Sequence, residues 1–351
     1  MNEDYLTGKG AQINTKNRFS KLDLVAEHIE GLDEPYLQSK PKTEVFEETP
    51  RKIISKNDSP DLSFSHSINP YQGCEHGCIY CYARNSHEYW GFSGGLDFES
   101  KIIIKRNAAK LLEEQFLKKT WRPVNIMLSG NTDCYQPLER KLKITRSLLE
   151  VFLKYRNPVG IITKNALIQR DIDILKEMAS VGLVHVYFSI TTLQEDLRRL
   201  MEPRTASADK KLQVIEEFSK NGIPTGIMNA PIIPGLNHHE MPEVLRKAAD
   251  AGAIKAGYTI VRLNGQIADL TKDWLHKNFP DRAKKIWSQV SEIHGGQVND
   301  SQWGRRMRGE GNYASIIDQL FKTNVKKYFQ GKEMPEYNLS AFRKGGNYQL
   351  F

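Results

Sequence analysis

The sequence predicts an α/β fold built on a parallel sheet, and three observations carry that expectation. From about Leu62, short β-rich apolar runs alternate with longer helical stretches, the pattern of repeated βα units. Before that point residues 1–60 are polar, rich in Lys, Glu, Asp and Ser, and show no sustained period. Beyond Leu263 the strand pattern stops and only helical stretches follow. Six strands with crossover helices suggest a partial (βα)6 TIM-type barrel, although a flat doubly wound sheet would show the same local pattern.

The strand candidates are Leu62 to Ile68, Val124 to Leu128, Val159 to Ile162, Val184 to Ile190, Pro224 to Met228 and Ala256 to Val261. Helical patterns lie between them near 107–119, 138–156, 170–181, 206–221 and 238–251. Two end in Asn221-Gly222 and Ala251-Gly252, where glycine suits the left-handed position after a helix. Further helices are expected around 268–278, 281–294 and 312–329. The chain thus divides into an extended N-terminal arm (1–60), a barrel (61–265) and a mainly helical C-terminal extension with a basic tail (266–351).

Length and composition narrow the class. The 351 residues, 39% hydrophobic, suffice for one large core. No window approaches 18 consecutive apolar residues, and the polar start (Met1 to Tyr5) lacks the features of a secretory signal. A cytoplasmic protein without a membrane span is expected. The net charge of +8 is mild, but nine basic against four acidic residues leave +5 from Ser301 onward. Such a run is usually a solvated face.

Only four cysteines occur, and three fall within eight residues: Cys74, Cys78 and Cys81. They follow the first predicted strand, at the carboxyl end of the sheet, where α/β folds keep their sites. Gly73 and Gly77 let the backbone close around a compact inorganic object. A [4Fe–4S] cube usually takes four cysteines, one per iron. Three leave one iron open to a chelating ligand. The alternative is a zinc site completed by His76, His87 or Cys134, although no second cysteine pair exists to complete the usual zinc pattern.

C-x3-C-x2-C with an aromatic before the last cysteine resembles the radical S-adenosylmethionine superfamily. The segments Ser129 to Glu139, Ile162 to Lys164, Glu202 to Thr205 and Pro231 to Asn237 are similar to its spore photoproduct lyase-like branch, often labelled DNA repair photolyases. The resemblance implies a [4Fe–4S] cluster on Cys74, Cys78 and Cys81, with S-adenosylmethionine as the second cofactor. It implies that Tyr80 contacts adenine, that the Ser129, Asn131, Thr132 and Asp133 loop binds the methionine amine, and that Lys164 offers a cation to the methionine carboxylate. Ser189 would hydrogen-bond the cofactor. Arg204 would clamp a carboxylate, and Asn229, with Arg262 and Asn264, would line the cofactor or substrate side.

Cys134 is a candidate hydrogen-atom donor, since spore photoproduct lyase uses a cysteine in that way, and Tyr135 is a candidate radical relay. The branch usually has proline where this chain has Cys134, which favours a small buried filler there. A flavodoxin or ferredoxin would supply the electron. The substrate would be DNA or RNA, approaching over Trp303-Gly304-Arg305-Arg306-Met307-Arg308-Gly309, or else a small molecule or peptide. A metal-binding protein without chemistry is the non-enzyme reading.

Overall fold

The computed structural model describes residues 5–19 and 42–346; parts of the expected arm and the last five residues of the tail lie outside this range. The described residues form ten strands: β1 (Glu44–Glu47), β2 (Ile54–Lys56), β3 (His66–Ile68), β4 (Tyr71–Gln72) and β5 (Lys101–Ile104), then β6 (Ile126–Leu128), β7 (Val159–Thr163), β8 (Val184–Ser189), β9 (Thr225–Ile232) and β10 (Lys255–Ile260). The main sheet has the order β10-β9-β8-β7-β6-β3-β2. Six of its strands run parallel and β2 pairs antiparallel with β3. A smaller sheet joins β1, β5 and β4.

The parallel strands stand side by side in chain order, with no reversal point. Right-handed crossovers that all step the same way put their helices on one face. That order separates the fold from a doubly wound sheet, in which direction reverses midway. Strand β7 is buried at four of five positions, as expected where a sheet is covered on both faces. Helix Ile144–Tyr155 shows why the elements dock. Leu148, Leu149, Phe152 and Tyr155 recur at helical spacing and are all buried. Phe116 from helix Ala108–Leu117 meets Phe152 and Tyr155 with ring centroids 5.8 and 5.7 Å apart.

Several boundaries differ from expectation for identifiable reasons. The first parallel strand begins at His66 rather than Leu62. Asn57 accepts from Ser59 N and donates to Phe64 O, which draws the preceding residues into a turn. The single helix expected over 138–156 is broken at Lys143, whose φ is 53°, into Glu139–Leu142 and Ile144–Tyr155. Strand β9 runs on to Ile232, which pairs with Ile260 beyond an irregularity in β10. Strand β5 was not anticipated, although Ile102-Ile103-Ile104 is a β-branched run.

The helices beyond β10 cover Gln266–Asn278, Pro280–Glu292 and Gly311–Tyr328. The first two enclose a second hydrophobic cluster in which Trp274, Ile286 and Val290 meet Ile79, Tyr80 and Cys78. The extension is therefore packed against the cysteine segment. Trp274 Nε1 donates to Leu200 O at 3.0 Å. Farther along, the chain returns to the amino end of the sheet. Asn338 N donates to Gly182 O, and Tyr337 stacks on His185 at 3.8 Å between ring centroids.

Two outcomes are expected. Phe116→Ala, which empties a fully buried aromatic cluster, should cost about 3–5 kcal/mol in chemical denaturation. Burial lowers the pKa of His185 to about 4. A histidine whose folded pKa lies below its unfolded value takes up protons preferentially on unfolding. Stability is then complete above pH ~6.5 and declines as the pH falls toward 4. His185→Phe should flatten that part of the stability–pH curve.

Candidate active site

Strands β6 to β10 and the segment after β3 and β4 deliver their carboxyl ends to one edge. The cysteine segment lies across that edge. Cys74, Cys78 and Cys81 are free thiols, the first two buried. Burial raises the pKa of all three, and the negative charges of Asp133, Cys78 and Cys81 raise Cys74 further. The three sulfurs thus share one neighbourhood. Thiols held up in this way release their protons when a metal binds.

The cradle around them is a backbone structure. Gly73 and Gly77 have φ of 76° and 68°. A Cβ on Gly77 would stand 2.7 Å from Glu99 Oε2, and one on Gly73 would stand 2.9 Å from Lys101 O. Gln136 grips the loop at two points, accepting from Glu75 N at 3.0 Å and donating to Gly73 O at 3.3 Å.

Beneath the loop lies a buried ion pair, Arg84 Nη2 to Glu99 Oε1 at 2.6 Å. Arg84 also donates to Cys78 O, Gly94 O and Gly95 O. Glu99 takes the backbone N–H groups of Gly10 and Ala11, which brings the N-terminal segment under the cysteines.

The loop after β6 is also strongly braced. Ser129 has φ of 74°, and its Oγ accepts from Cys134 N at 2.7 Å. Asn131 N donates to Asn69 Oδ1 at 2.7 Å, and its amide reaches Gln72 and Ser86. Thr132 Oγ1 donates to Tyr71 O. Asp133 accepts from Tyr135 N, Thr163 Oγ1 and Lys164 N, and lies 3.4 Å from His76 Nδ1. Burial alone would raise its pKa, but the His76 charge and these hydrogen bonds prevail and lower it. The loop thus joins strands β6 and β7 to the cysteine segment.

A second buried network centres on Glu202, which the sequence reading placed only within a motif. Its carboxylate meets Tyr80 Oη, Thr191 Oγ1 and Lys164 Nζ, the last at 3.0 Å, with Lys211 Nζ at 3.9 Å. Burial opposes its charge, yet the two lysines and the hydroxyls lower its pKa to about 2. Lys164 also donates to Thr191 Oγ1 and Ala230 O. Lys211 is buried, reaches Ser189 O at 2.9 Å, and is pushed down to about 8 by that burial. Ser189 and Asn229 stand on the neighbouring strands. Asn229 donates to Ile190 O at 2.7 Å, while its buried Oδ1 has no partner.

The other candidates separate. Arg204, a third exposed, lies 4.0 Å from Glu75, and its backbone N–H donates to His76 O. Cys134 is fully buried in the main core, and its carbonyl accepts from Thr145 Oγ1. Tyr135 is also in that core, with its hydroxyl donating to Asp171 Oδ2 at 3.1 Å. His76 is held between Asp133 and Asn165, and His87 lies among Phe92 and Phe98. Among the described residues no three His, Cys, Asp or Glu approach closely enough to hold one metal ion. A cube, with one thiolate on each of several irons, suits a wider spacing.

Three free thiols on a glycine cradle thus face the edge that also carries Lys164 at the end of β7 and, two strands away on β9, the unpartnered buried amide oxygen of Asn229. The radical SAM superfamily profile matches residues 68–248, and the chain belongs to that superfamily. The cofactors of that superfamily are a [4Fe–4S] cluster and S-adenosylmethionine.

An uncharacterized protein of Mycobacterium tuberculosis is 30% identical over 63% of this chain, which spans 65% of that relative's length. One from Methanocaldococcus jannaschii is 27% identical over 71% of this chain and 89% of its own. A radical SAM Nalpha-GlyT isomerase of Pseudomonas phage M6 is 25% identical over 66% of this chain and 48% of its own. The fold is similar to that of spore photoproduct lyase, solved in complex with dinucleoside spore photoproduct, with TM-score 0.54, 16% identity and coverage of 82% and 80%.

Removing the counter-charge beneath the loop should be costly. Glu99→Ala leaves the Arg84 guanidinium buried and unpaired, a loss of about 3–5 kcal/mol in denaturant unfolding of the cluster-free protein.

Proposed function

We propose that the protein cleaves S-adenosylmethionine reductively at a [4Fe–4S] cluster on Cys74, Cys78 and Cys81, and directs the resulting radical at a substrate entering over the carboxyl edge of the sheet. The observation that carries this reading is the convergence there of three free thiols, Lys164 and the unpartnered Asn229 Oδ1. When bound, the two cofactors supply methionine formation and a 5′-deoxyadenosyl radical, given one electron from a flavodoxin or ferredoxin.

The chain's own residues bind and orient. Lys164 holds the methionine carboxylate, and Glu202 keeps its ammonium in place and protonated. Ser129, Asn131, Thr132 and Asp133 form the amine side. Tyr80 lies toward the adenine, with Ser189 and Asn229 as hydrogen-bonding groups, and Arg204 beside Glu75 closes the cysteine segment. Tyr135 and Cys134 are taken as core residues behind the amine loop. In this reading the sheet curls as a partial (βα)6 barrel over 61–265, flanked by the arm and the helical extension. No helix of the described residues is long and apolar enough to cross a membrane. The site belongs in the cytoplasm, where its thiols stay reduced.

Nucleic acid is the first substrate reading, supported by the dinucleoside complex of spore photoproduct lyase. A second reading, a small molecule or peptide, is favoured by one observation. The arginines of the 303–309 run are engaged internally: Arg305 with Asp300 and Glu310, Arg306 with Asp61 and Ser59, and Arg308 over the Tyr258 ring at 4.1 Å. That run offers little free charge to phosphates.

Anaerobic reconstitution with dithionite and S-adenosylmethionine should yield 5′-deoxyadenosine. Cys78→Ala should lose both the iron and the product, and Lys164→Met should weaken S-adenosylmethionine binding about tenfold or more. Iron-loaded wild-type protein that forms no 5′-deoxyadenosine would sink the proposal.

A further inference from the structure

Arg262 follows the carboxyl end of β10 and is half-buried, yet among the described residues it makes no hydrogen bond and no close ion pair. Its chain neighbours Val261 and Leu263 are buried in the second hydrophobic cluster, so the intervening side chain leaves on the opposite side of the extended backbone. There it meets the fields of Arg306, Asp61, Tyr82 and Asp300, and its own charge acts on His294.

Neither carboxylate is free to pair with it. Asp61 accepts from Arg306 Nε and from Gly304 N at 2.7 Å. Asp300 is bound to Arg305 and accepts from Gln302 N at 2.8 Å. Burial and the like charge of Arg306 both disfavour the Arg262 cation.

The surroundings carry an aromatic face. Tyr82, directly after the third cysteine, is half exposed and donates its hydroxyl to Gly130 O at 2.6 Å. Trp303 is 62% exposed and precedes the Gly304 that binds Asp61. Beside them Asn264 and Asn85 each bury a side-chain oxygen without a partner. A planar fork with unused donors near the Tyr82 ring suits a phosphate ester attached to a planar ring system.

We propose that Arg262 anchors a phosphate group of the substrate at the open edge beside Tyr82. The inference rests on the proposed function only for the statement that substrate enters at this edge. The phosphate is a diester within a nucleic acid or a monoester on a nucleotide-sized molecule, and the experiment separates the two.

Calorimetric titration of reconstituted protein with S-adenosylmethionine present uses two matched pairs. One is thymidylyl-(3′→5′)-thymidine against its uncharged methylphosphonate, and the other is thymidine 5′-monophosphate against thymidine. In at least one pair the charged probe should bind about tenfold more tightly or better. That preference should vanish in Arg262→Gln and survive in part in Arg262→Lys, which keeps the charge but not the fork. The pair showing it identifies the diester or the monoester.

Equal binding within both pairs, no binding by any probe, or a preference that persists in Arg262→Gln overturns the proposal. So does an acidic peptide whose binding depends on Arg262 when that of the phosphates does not. Formation of 5′-deoxyadenosine by probe-free wild-type protein is scored separately, so loss of radical chemistry is distinguishable from loss of the phosphate site.

Discussion

The Glu99 carboxylate holds three distant parts of the chain against one another. One oxygen takes the Arg84 guanidinium and the Ala11 amide, and the other takes the Gly10 amide. Arg84 in turn ties down Cys78 O and the turn at Gly94 and Gly95. A carboxylate and a guanidinium this deeply buried are tolerated only because nearly every donor and acceptor is matched. The consequence is a rigid floor under the cysteine segment. Gly77 must be glycine in that arrangement, because any side chain there would strike the same carboxylate.

Above the floor, the polar side of the site is organised by Glu202. It binds Tyr80, the residue just before the third cysteine, to the lysine at the end of β7. A single buried negative charge flanked by Lys164 and Lys211 keeps two cations in a dry place. The chain thus couples the cluster segment to the strand ends through side chains rather than through the sheet itself. The helical extension reinforces this from outside, since Trp274 and its neighbours share a hydrophobic cluster with Ile79 and Tyr80.

Much of the site was legible because its signals are local. Three cysteines within eight residues, Gly73 and Gly77 between strand and helix, and Lys164 at a strand end can all be found by reading along the chain. The struts were not legible. Arg84 and Glu99 are ordinary charged residues in sequence, and nothing local announces that they meet. Gln136 likewise pairs with backbone 61 and 63 residues away. The same holds for the basic run at 303–309, whose composition suggested a free phosphate surface. Its arginines instead found acids at Asp61, Asp300 and Glu310 and an aromatic ring at Tyr258.

The periodicity of apolar residues was enough to set the alternation of strands and helices, because burial on one face imposes a spacing that any reader can count. The cysteine triplet was enough to raise the expectation of a metal site, because thiolate number and spacing limit what can be bound. Strand order was beyond periodicity, since ordered and reversed parallel sheets bury the same residues. The assignment of charged side chains was also beyond it, because pairing is a matter of distance in space. Cys134 shows the division plainly: near the loop in sequence, it packs into the main core. Arg262 adds what position along the strand could not give: folding leaves it half-buried, while the nearby carboxylates Asp61 and Asp300 are engaged by Arg306 and Arg305.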